Sequence, residues 1–227
     1  MIPIRGRRVA VTGTSPLARG LVDGLRALEA QVATIDAAFT SEDEVAAAVA
    51  DTVLLLDGID QIVHTWLAPS LVEAHTFTAL TEEEWADGCE HSLEAAWWIA
   101  RRGITPLRAT HGSMVFVVPT IGMAGGAGFS MLAAVAEGVR VLAKGCGRQW
   151  GADAVTANTI AAAPHQWLAG EAGNDLTRAI SLSTPALGSA GDAAADLAPL
   201  VALLGDAESH FLTANTLVAD GGTWMGL

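Results

Sequence analysis

Short apolar segments alternate with longer segments of helical periodicity along the whole chain. The short segments predict buried strands and the longer ones predict helices between them. The predicted strands are Val9–Thr12, Gln31–Asp36, Gln61–His64, Met114–Val118, Ala154–Ile160 and Thr216–Ala219. Strands that alternate with helices are typical of a parallel sheet covered on both faces. We therefore expect one α/β domain over residues 1–227, with a doubly wound parallel sheet in a three-layer arrangement.

Capping residues predict where several helices begin. Ser41–Glu44 (SEDE) and Thr81–Glu84 (TEEE) both match the capping box, in which a hydroxyl and a carboxylate satisfy each other's backbone N–H groups. The second box is expected to start a long helix that Gly103 ends, because glycine commonly follows a helix C-terminus. The other predicted helices are Leu17–Glu29, Ser130–Trp150 and one near Asp192–Leu204.

The segment from Ala109 to Ala136 lacks Asp, Glu, Lys and Arg and is long enough to cross a membrane. Proline and glycine interrupt it at five positions: Pro119, Gly122, Gly125, Gly126 and Gly128. Such breaks favour a strand, a loop and the start of a helix over a continuous spanning helix.

Composition excludes some partners and ligands. The net charge is −13, so nucleic acids and anionic membranes, which are polyanions, are not expected as partners. Cys89 and Cys146 are far apart, and no Cys/His spacing indicates a metal site, so both are expected to be buried, reduced thiols. The basic N-terminus leads directly into a strand without the apolar core of a signal peptide, which indicates a cytoplasmic protein.

Several segments resemble the short-chain dehydrogenase/reductase family in order and nearly in spacing. They are Thr12-Gly13 after the first strand, Thr81–Trp85 (TEEEW), Gly112–Val118 (GSMVFVV), Asn158 and Leu217–Gly222 (LVADGG). The resemblance covers essentially the whole chain. It implies a Rossmann-like fold, NAD(P)-dependent oxidoreductase activity, and helices that pack against another subunit.

The resemblance also locates the family's catalytic residues, and this chain has none of them. The positions of its asparagine, serine, tyrosine and lysine fall on Ser92, Pro119, Leu132 and Ala136. The chain contains no tyrosine, and its one lysine, Lys144, lies about two helical turns beyond Ala136. Loss of a general acid alone typically costs about 10²–10⁴ in rate. We expect no catalytic residue of the family's kind.

The glycine-rich turn that would hold a dinucleotide pyrophosphate is also altered. Of three expected glycines only Gly13 is present, and Leu17 and Arg19 stand at the other two positions. Pro16 removes a backbone N–H, and Leu17 is expected to project where phosphate should lie. The remaining candidate cofactor contacts are Gly13, Ser15, Arg19, Asp36 and His64. Arg19 either binds phosphate or is a solvated arginine of the first helical turn.

Asp36 stands where an acid would bind the adenosine ribose, which favours NAD over NADP, although an aspartate after a strand is also common in loops. Only four residues separate it from Ser41, so the edge strand and helix that usually follow are expected to be missing. Trp66 and Leu67 replace small residues beside the pocket. We therefore expect no bound cofactor, or NAD if one binds.

Two sets of residues suggest other roles. His64, His165 and Thr120 belong to loops at the carboxyl edge of the sheet, where they could supply acid–base chemistry or act only as hydrogen-bonded loop residues. Trp97 and Trp98 lie on the long helix and are either association anchors or core residues. Trp224 lies in the C-terminal tail, which often joins subunit contacts in the family.

Three functional classes follow from these residues. The first is a catalytically inactive homologue that serves as a structural or regulatory subunit of a homo-oligomer, or of a hetero-oligomer with an active short-chain dehydrogenase. The second is a divergent NAD(P)-dependent oxidoreductase with non-standard catalytic residues. The third is a sensor that binds a dinucleotide or another small molecule without converting it.

Overall fold

The computed structural model describes residues 4–168 and 184–225, and within them six parallel strands form one sheet. The strands are β1 (Arg8–Thr12), β2 (Gln31–Ile35), β3 (Gln61–His64), β4 (Ser113–Pro119), β5 (Thr156–Ala162) and β6 (Thr216–Ala219). Their order across the sheet is β2-β1-β3-β4-β5-β6. All six predicted strands are confirmed, with ends shifted by two residues at most, and so is the Rossmann-like fold class.

Seven α-helices lie in the described ranges. They are α1 (Pro16–Ala27), α2 (Glu42–Leu56), α3 (Glu82–Trp85), α4 (His91–Thr110), α5 (Ile121–Ala124), α6 (Ser130–Trp150) and α7 (Ala198–Gly205). Two π-helical turns, Ala86–Glu90 and Ala193–Leu197, lead directly into α4 and α7. None of the helices in the described residues is long and apolar enough to cross a membrane.

Side chains that alternate along the strands form one apolar core on each face of the sheet. Ile62, Met114 and Phe116 belong to the core beneath α2, α4 and α6. Val63 and Val115 belong to the core beneath α1 and α7. Because both faces are covered, strands such as β3 and β4 are buried at every position, as a doubly wound sheet requires.

The connection between β2 and α2 is short, and it contains neither a helix nor a further strand, as the sequence predicted. The Ser41 hydroxyl caps α2 by accepting from the Glu44 N–H. The Glu44 carboxylate accepts from the N–H groups of Ala38 and Thr40, which lowers the pKa of Glu44. The predicted capping box is thus only half formed at Ser41, because this carboxylate holds the shortened loop instead. At Thr81 the box is complete.

The prediction that Gly103 ends the long helix is wrong. Helix α4 continues to Thr110 and ends at His111, whose φ of 51° is left-handed. Gly103 lies buried against the sheet, where a Cβ atom would approach Ile62 Cδ1 to 2.5 Å and Met114 Cε to 3.0 Å. The glycine therefore permits close packing of α4 on β3 and β4.

The uncharged segment from Ala109 to Ala136 forms the end of α4, strand β4, the short helix α5 and the start of α6. Gly125 and Gly128 adopt φ values of 73° and 83° in the loop between α5 and α6. These conformations favour glycine and interrupt the helix, so the predicted strand, loop and helix are confirmed.

We expect Gly103→Ala to destabilise the protein by up to about 2 kcal/mol, because the buried ends of the Ile62 and Met114 side chains must shift and this cost outweighs the gain in helix propensity. Gly145→Ala, in α6, is the matched control, since a Cβ atom there would meet no atom within 4 Å. It should stabilise the protein by about 0.5–1 kcal/mol. Urea unfolding of both variants measures the difference, and equal effects would contradict the packing argument.

Candidate functional site

The strand order reverses at the carboxyl ends of β1 and β3, which is where open α/β sheets bind ligands. A cleft of about 210 Å³ lies there, between the start of α1 and the segments that follow β3 and β5. Its lining comprises Gly13, Thr14, Ser15, Thr65, Trp66, Leu67, Ala68, Pro69, Val72, Trp167 and Leu168. The cleft is therefore at the expected place but small.

A buried hydrogen-bond network joins the two strand ends beneath this cleft. The Thr65 N–H donates to Thr12 Oγ1 at 3.0 Å, and the Thr65 hydroxyl donates to the Thr12 carbonyl at 2.5 Å. His64 Nδ1 lies 3.0 Å from Thr12 Oγ1. The indole N–H of Trp167 donates to the Thr65 carbonyl at 3.0 Å. Four residues from three segments thus hold this edge of the sheet together.

His64, a predicted cofactor contact and candidate acid or base, is one of these four residues. Its ring is 2 % exposed and lies edge-on to Phe39 and Phe116. Burial lowers its pKa to about 3, so the imidazole is neutral near pH 7. Nε2 is buried and has no hydrogen-bond partner in the structure. A neutral ring enclosed in the core supports the sheet edge but is badly placed to exchange protons with a ligand.

The other two candidates for replacement chemistry are also engaged in the fold. Thr120 is buried, and its backbone N–H donates to the Ala162 carbonyl at 2.9 Å. His165 is half-buried on a 3₁₀ turn, Pro164–Trp167, that positions Trp167 over the cleft. His165 itself is absent from the cleft lining.

Gly13 has the backbone conformation that the glycine-rich turn requires. Its φ is 88°, and a Cβ atom there would lie 3.3 Å from Thr65 Oγ1 and 3.5 Å from the Trp66 backbone. The glycine therefore lets the turn after β1 approach the segment after β3 closely, and this need is independent of phosphate binding.

Two of the predicted phosphate contacts form hydrogen bonds at the start of helix α1. The Ser15 hydroxyl accepts from the Ala18 N–H at 3.2 Å and caps the helix. The Arg19 guanidinium donates to the Thr14 carbonyl and is otherwise exposed. The expectation that Leu17 projects into the phosphate site is wrong. Leu17 is fully buried in the core beneath α1, because the helix turns this position towards the sheet.

Aromatic rings fill the region beside the predicted ribose contact. Asp36 is exposed directly after β2. The Trp66 ring packs between Phe39 and His91, with centroid distances of 4.9 and 5.0 Å. Phe39 is fully buried with φ of 61°, and its carbonyl is hydrogen-bonded to His91 Nε2. Trp66, which replaces a small residue beside the pocket, thus forms an aromatic cluster with Phe39 and His91. The sequence alone did not reveal this cluster.

The positions that correspond to the family's catalytic residues are closed. Ser92 is buried, and its hydroxyl accepts from the Ala68 N–H at 3.0 Å. Leu132 and Ala136 are 1 % and 0 % exposed, and Pro119 ends the buried strand β4. Helix α5 packs directly on this part of α6, since a Cβ atom at Gly122 would lie 2.8 Å from Ala136 Cβ.

The described residues do not fit a whole dinucleotide. A volume of about 210 Å³ is below the roughly 300–1,000 Å³ typical of organic-ligand pockets. The Ser15 hydroxyl oxygen at the start of α1 caps the helix, and Pro16 contributes no N–H group. Nor do the described His, Cys, Asp and Glu side chains form a group that could hold a metal ion.

A second surface feature lies on the outer side of α4 and α6. Trp98 is buried, whereas Trp97 is 46 % exposed with the Arg101 guanidinium 5.3 Å from its ring centroid, so the adjacent tryptophans do face different ways. Together with Ile104 and Leu142, Trp97 and Arg101 line a groove of about 530 Å³. Leu93 and Val141 are exposed on the same two helices.

Sequence reasoning missed Trp167, which both lines the cleft and bonds to Thr65. The available signal was that a tryptophan just beyond a strand, if buried, requires an acceptor for its N–H group. The two cysteines are buried and unpaired, as predicted, and burial raises the pKa of each thiol to about 11. Neither thiol has the lowered pKa of a reactive cysteine.

Comparison with known proteins agrees with this architecture. A model of the enoyl-(acyl carrier protein) reductase family matches residues 4–223. A 3-oxoacyl-(acyl-carrier-protein) reductase of Vibrio cholerae is 28 % identical over 171 residues, which cover 74 % of this chain and 68 % of the relative.

Reductases with the same name from Staphylococcus epidermidis and Staphylococcus aureus are 24 % and 25 % identical over 231 aligned positions. Both alignments cover 97 % of this chain, and they cover 90 % and 89 % of the relatives. The six-stranded parallel sheet and these matches lead to one conclusion. The chain belongs to the short-chain dehydrogenase/reductase family.

Proposed function

We propose that this member of the family is a catalytically silent subunit of an oligomer. The observation that carries the proposal is that hydrocarbon side chains, fully packed, occupy the positions of the proton donor and its lysine. Leu132 and Ala136 can neither donate a proton nor admit a substrate carbonyl beside them. The chain has no tyrosine with which to replace the donor from elsewhere.

The relatives are named as reductases, and the main alternative is that this chain is one too, with different catalytic residues. Carbonyl reduction needs a hydride from a cofactor and a proton from a nearby acid. The pKa of His64, about 3, makes its ring a neutral imidazole at neutral pH, so it lacks the acidic imidazolium proton. The cleft is also small for a dinucleotide. Among the described residues, neither His64 as an acid nor the cleft as a cofactor site meets the needs of carbonyl reduction.

The outer face of α4 and α6 supports the oligomer part of the proposal. Trp97, Leu93 and Val141 are exposed there beside a groove, and aromatic residues are enriched in interface cores. The partner on this face is either a second copy or an active short-chain dehydrogenase. We place the complex in the cytoplasm, where two buried, unpaired thiols remain reduced.

The closed state of the former lysine position can be tested by restoring lysine. We expect Ala136→Lys to cost at least about 3 kcal/mol, because it buries an unpaired charge against α5. Ala134→Lys, at an exposed position of the same helix, should change stability by less than about 0.5 kcal/mol. Chemical unfolding compares the two. Equal stability would mean that position 136 opens into a cleft, and the main argument for inactivity would fail.

Titration with NADH and NADPH tests whether the cleft binds a dinucleotide, with the seven tryptophans as fluorescent reporters. We expect no saturable quenching up to about 1 mM, the upper end of ordinary KM values. The Vibrio cholerae relative serves as the positive control. Saturable quenching with turnover of a 3-oxoacyl thioester would establish a reductase. Saturable quenching without turnover would establish a dinucleotide sensor.

Association through α4 and α6 can be tested with two glutamate variants. Trp97→Glu should dissociate the oligomer, because a charge would replace an interface aromatic. Leu54→Glu, an exposed apolar position on α2, should leave the oligomer intact. Analytical ultracentrifugation measures the mass, and co-purification from the native host identifies a dehydrogenase partner. A monomeric wild-type chain that recovers no partner would refute the subunit role.

A further inference from the structure

An acidic groove of about 410 Å³ lies at the start of the long helix and shares no residue with the groove beside Trp97. Its lining comprises Phe77, Leu80, Thr81, Glu82, Trp85 and Glu90. Phe77 is 71 % exposed, Trp85 is 39 % exposed, and Leu80 is half-buried. Large apolar side chains exposed together commonly mark an interaction site. The acidic groove therefore combines an apolar surface with two carboxylates.

The π-helical turn Ala86–Glu90 explains why Glu90 belongs to this groove. The His91 N–H donates to the Ala86 carbonyl, five residues earlier, so the turn aligns residues that are five apart. Trp85 and Glu90 are five apart, and both line the acidic groove. In a regular α-helix of 3.6 residues per turn they would point about 140° apart. Such turns are rare within helices and are frequent at functional sites.

The backbone that carries the acidic groove is fixed by local hydrogen bonds. The Thr81 N–H donates to Glu84 Oε2 at 2.8 Å, and the Glu84 N–H donates to Thr81 Oγ1 at 3.2 Å. The Ala79 N–H donates to the Thr76 carbonyl at 2.8 Å and closes the 3₁₀ turn Phe77–Ala79. A surface that is ordered before a partner arrives lowers the entropy cost of association.

The charge of this region indicates the sign of its partner. Residues 27–100 contain 15 Asp and Glu and no Lys or Arg. Neither Glu82 nor Glu90 forms a salt bridge with another described residue. A helix N-terminus stabilises carboxylates only within its first turn, so it does not account for Glu90. A basic partner would complement both carboxylates, whereas a second copy of this chain, with its net charge of −13, would add negative charge.

We propose that the acidic groove docks a basic segment of another protein, in which lysine or arginine alternates with apolar side chains. The apolar side chains cover Phe77 and Leu80, and the cationic groups pair with Glu82 and Glu90. The Trp85 ring offers a further cation–π contact. Because the groove is open, it suits a chain segment better than a small molecule, whose site would bury most of its surface. This role goes beyond the subunit function proposed above and does not depend on it.

A fluorescein-labelled peptide of six alternating lysine and leucine residues tests the acidic groove by fluorescence anisotropy, at about 0.15 M salt to screen distant charges. We expect saturable binding to the wild-type protein. The groove variant, Glu82→Gln with Glu90→Gln, should raise the Kd about fivefold to twentyfold, because two charge pairs are lost. Trp85→Leu keeps an apolar side chain without the aromatic ring, and it should raise the Kd about twofold to fivefold.

The matched control variant is Glu83→Gln with Glu94→Gln, which removes two charges at exposed positions outside the groove lining. Its Kd should stay within about twofold of the wild-type value. A lysine–serine peptide should bind at least about tenfold more weakly, because it leaves the apolar surface uncovered. A glutamate–leucine peptide should not bind, since like charges would face each other. Circular dichroism of each variant confirms that it is folded.

Three outcomes would overturn the proposal. The first is no saturable rise in anisotropy up to about 1 mM protein, the range of weak affinity. The second is an equal rise in Kd for the groove and control variants, or an equal Kd for the two lysine peptides, which would show unspecific attraction to an acidic protein. The third is a lower mass of the groove variant than of the wild type in analytical ultracentrifugation, which would show that a second copy covers the groove.

Discussion

The hydrogen bonds between Thr12 and Thr65 are the constraint on which the ligand edge of this sheet depends. They join β1 to the segment after β3 where the strand order reverses, and both side chains are buried. Such hydroxyls must remain paired, because an unpaired one costs about 1–3 kcal/mol. Trp167 bonds to Thr65 and brings a large ring over the same crevice. Stable pairing of the strand ends and a small cleft therefore have the same structural origin.

Apolar packing fills the positions that correspond to the family's catalytic tyrosine and lysine. Leu132 and Ala136 each belong to the core beneath α6, where apolar burial contributes about 25 cal/mol per Å². A tyrosine and a lysine there would need an open, polar cleft, which a packed helix α5 does not leave.

Local sequence patterns determined most of the fold, because alternation and capping act between near neighbours in the chain. They located all six strands, and they located the start of the long helix at Thr81. They failed where a distant contact decides the outcome. Gly103 resembles a helix end but makes room for Ile62, and Leu17 is turned into the core by α1. The substituted catalytic positions were visible in the sequence, whereas the Thr65–Trp167 contact joins residues 102 apart and was not.

Helix α6 has one side that packs into the core and another that is exposed. Leu132, Ala136 and Val139 lie on the side that packs into the core, while Val141 and Gly145 lie on the exposed side. On a helix of 3.6 residues per turn, these two sets are selected independently. Substitutions on the inner side can therefore occur without altering the outer groove beside Trp97. The proposed oligomeric role therefore does not depend on the residues that stand at the family's catalytic positions.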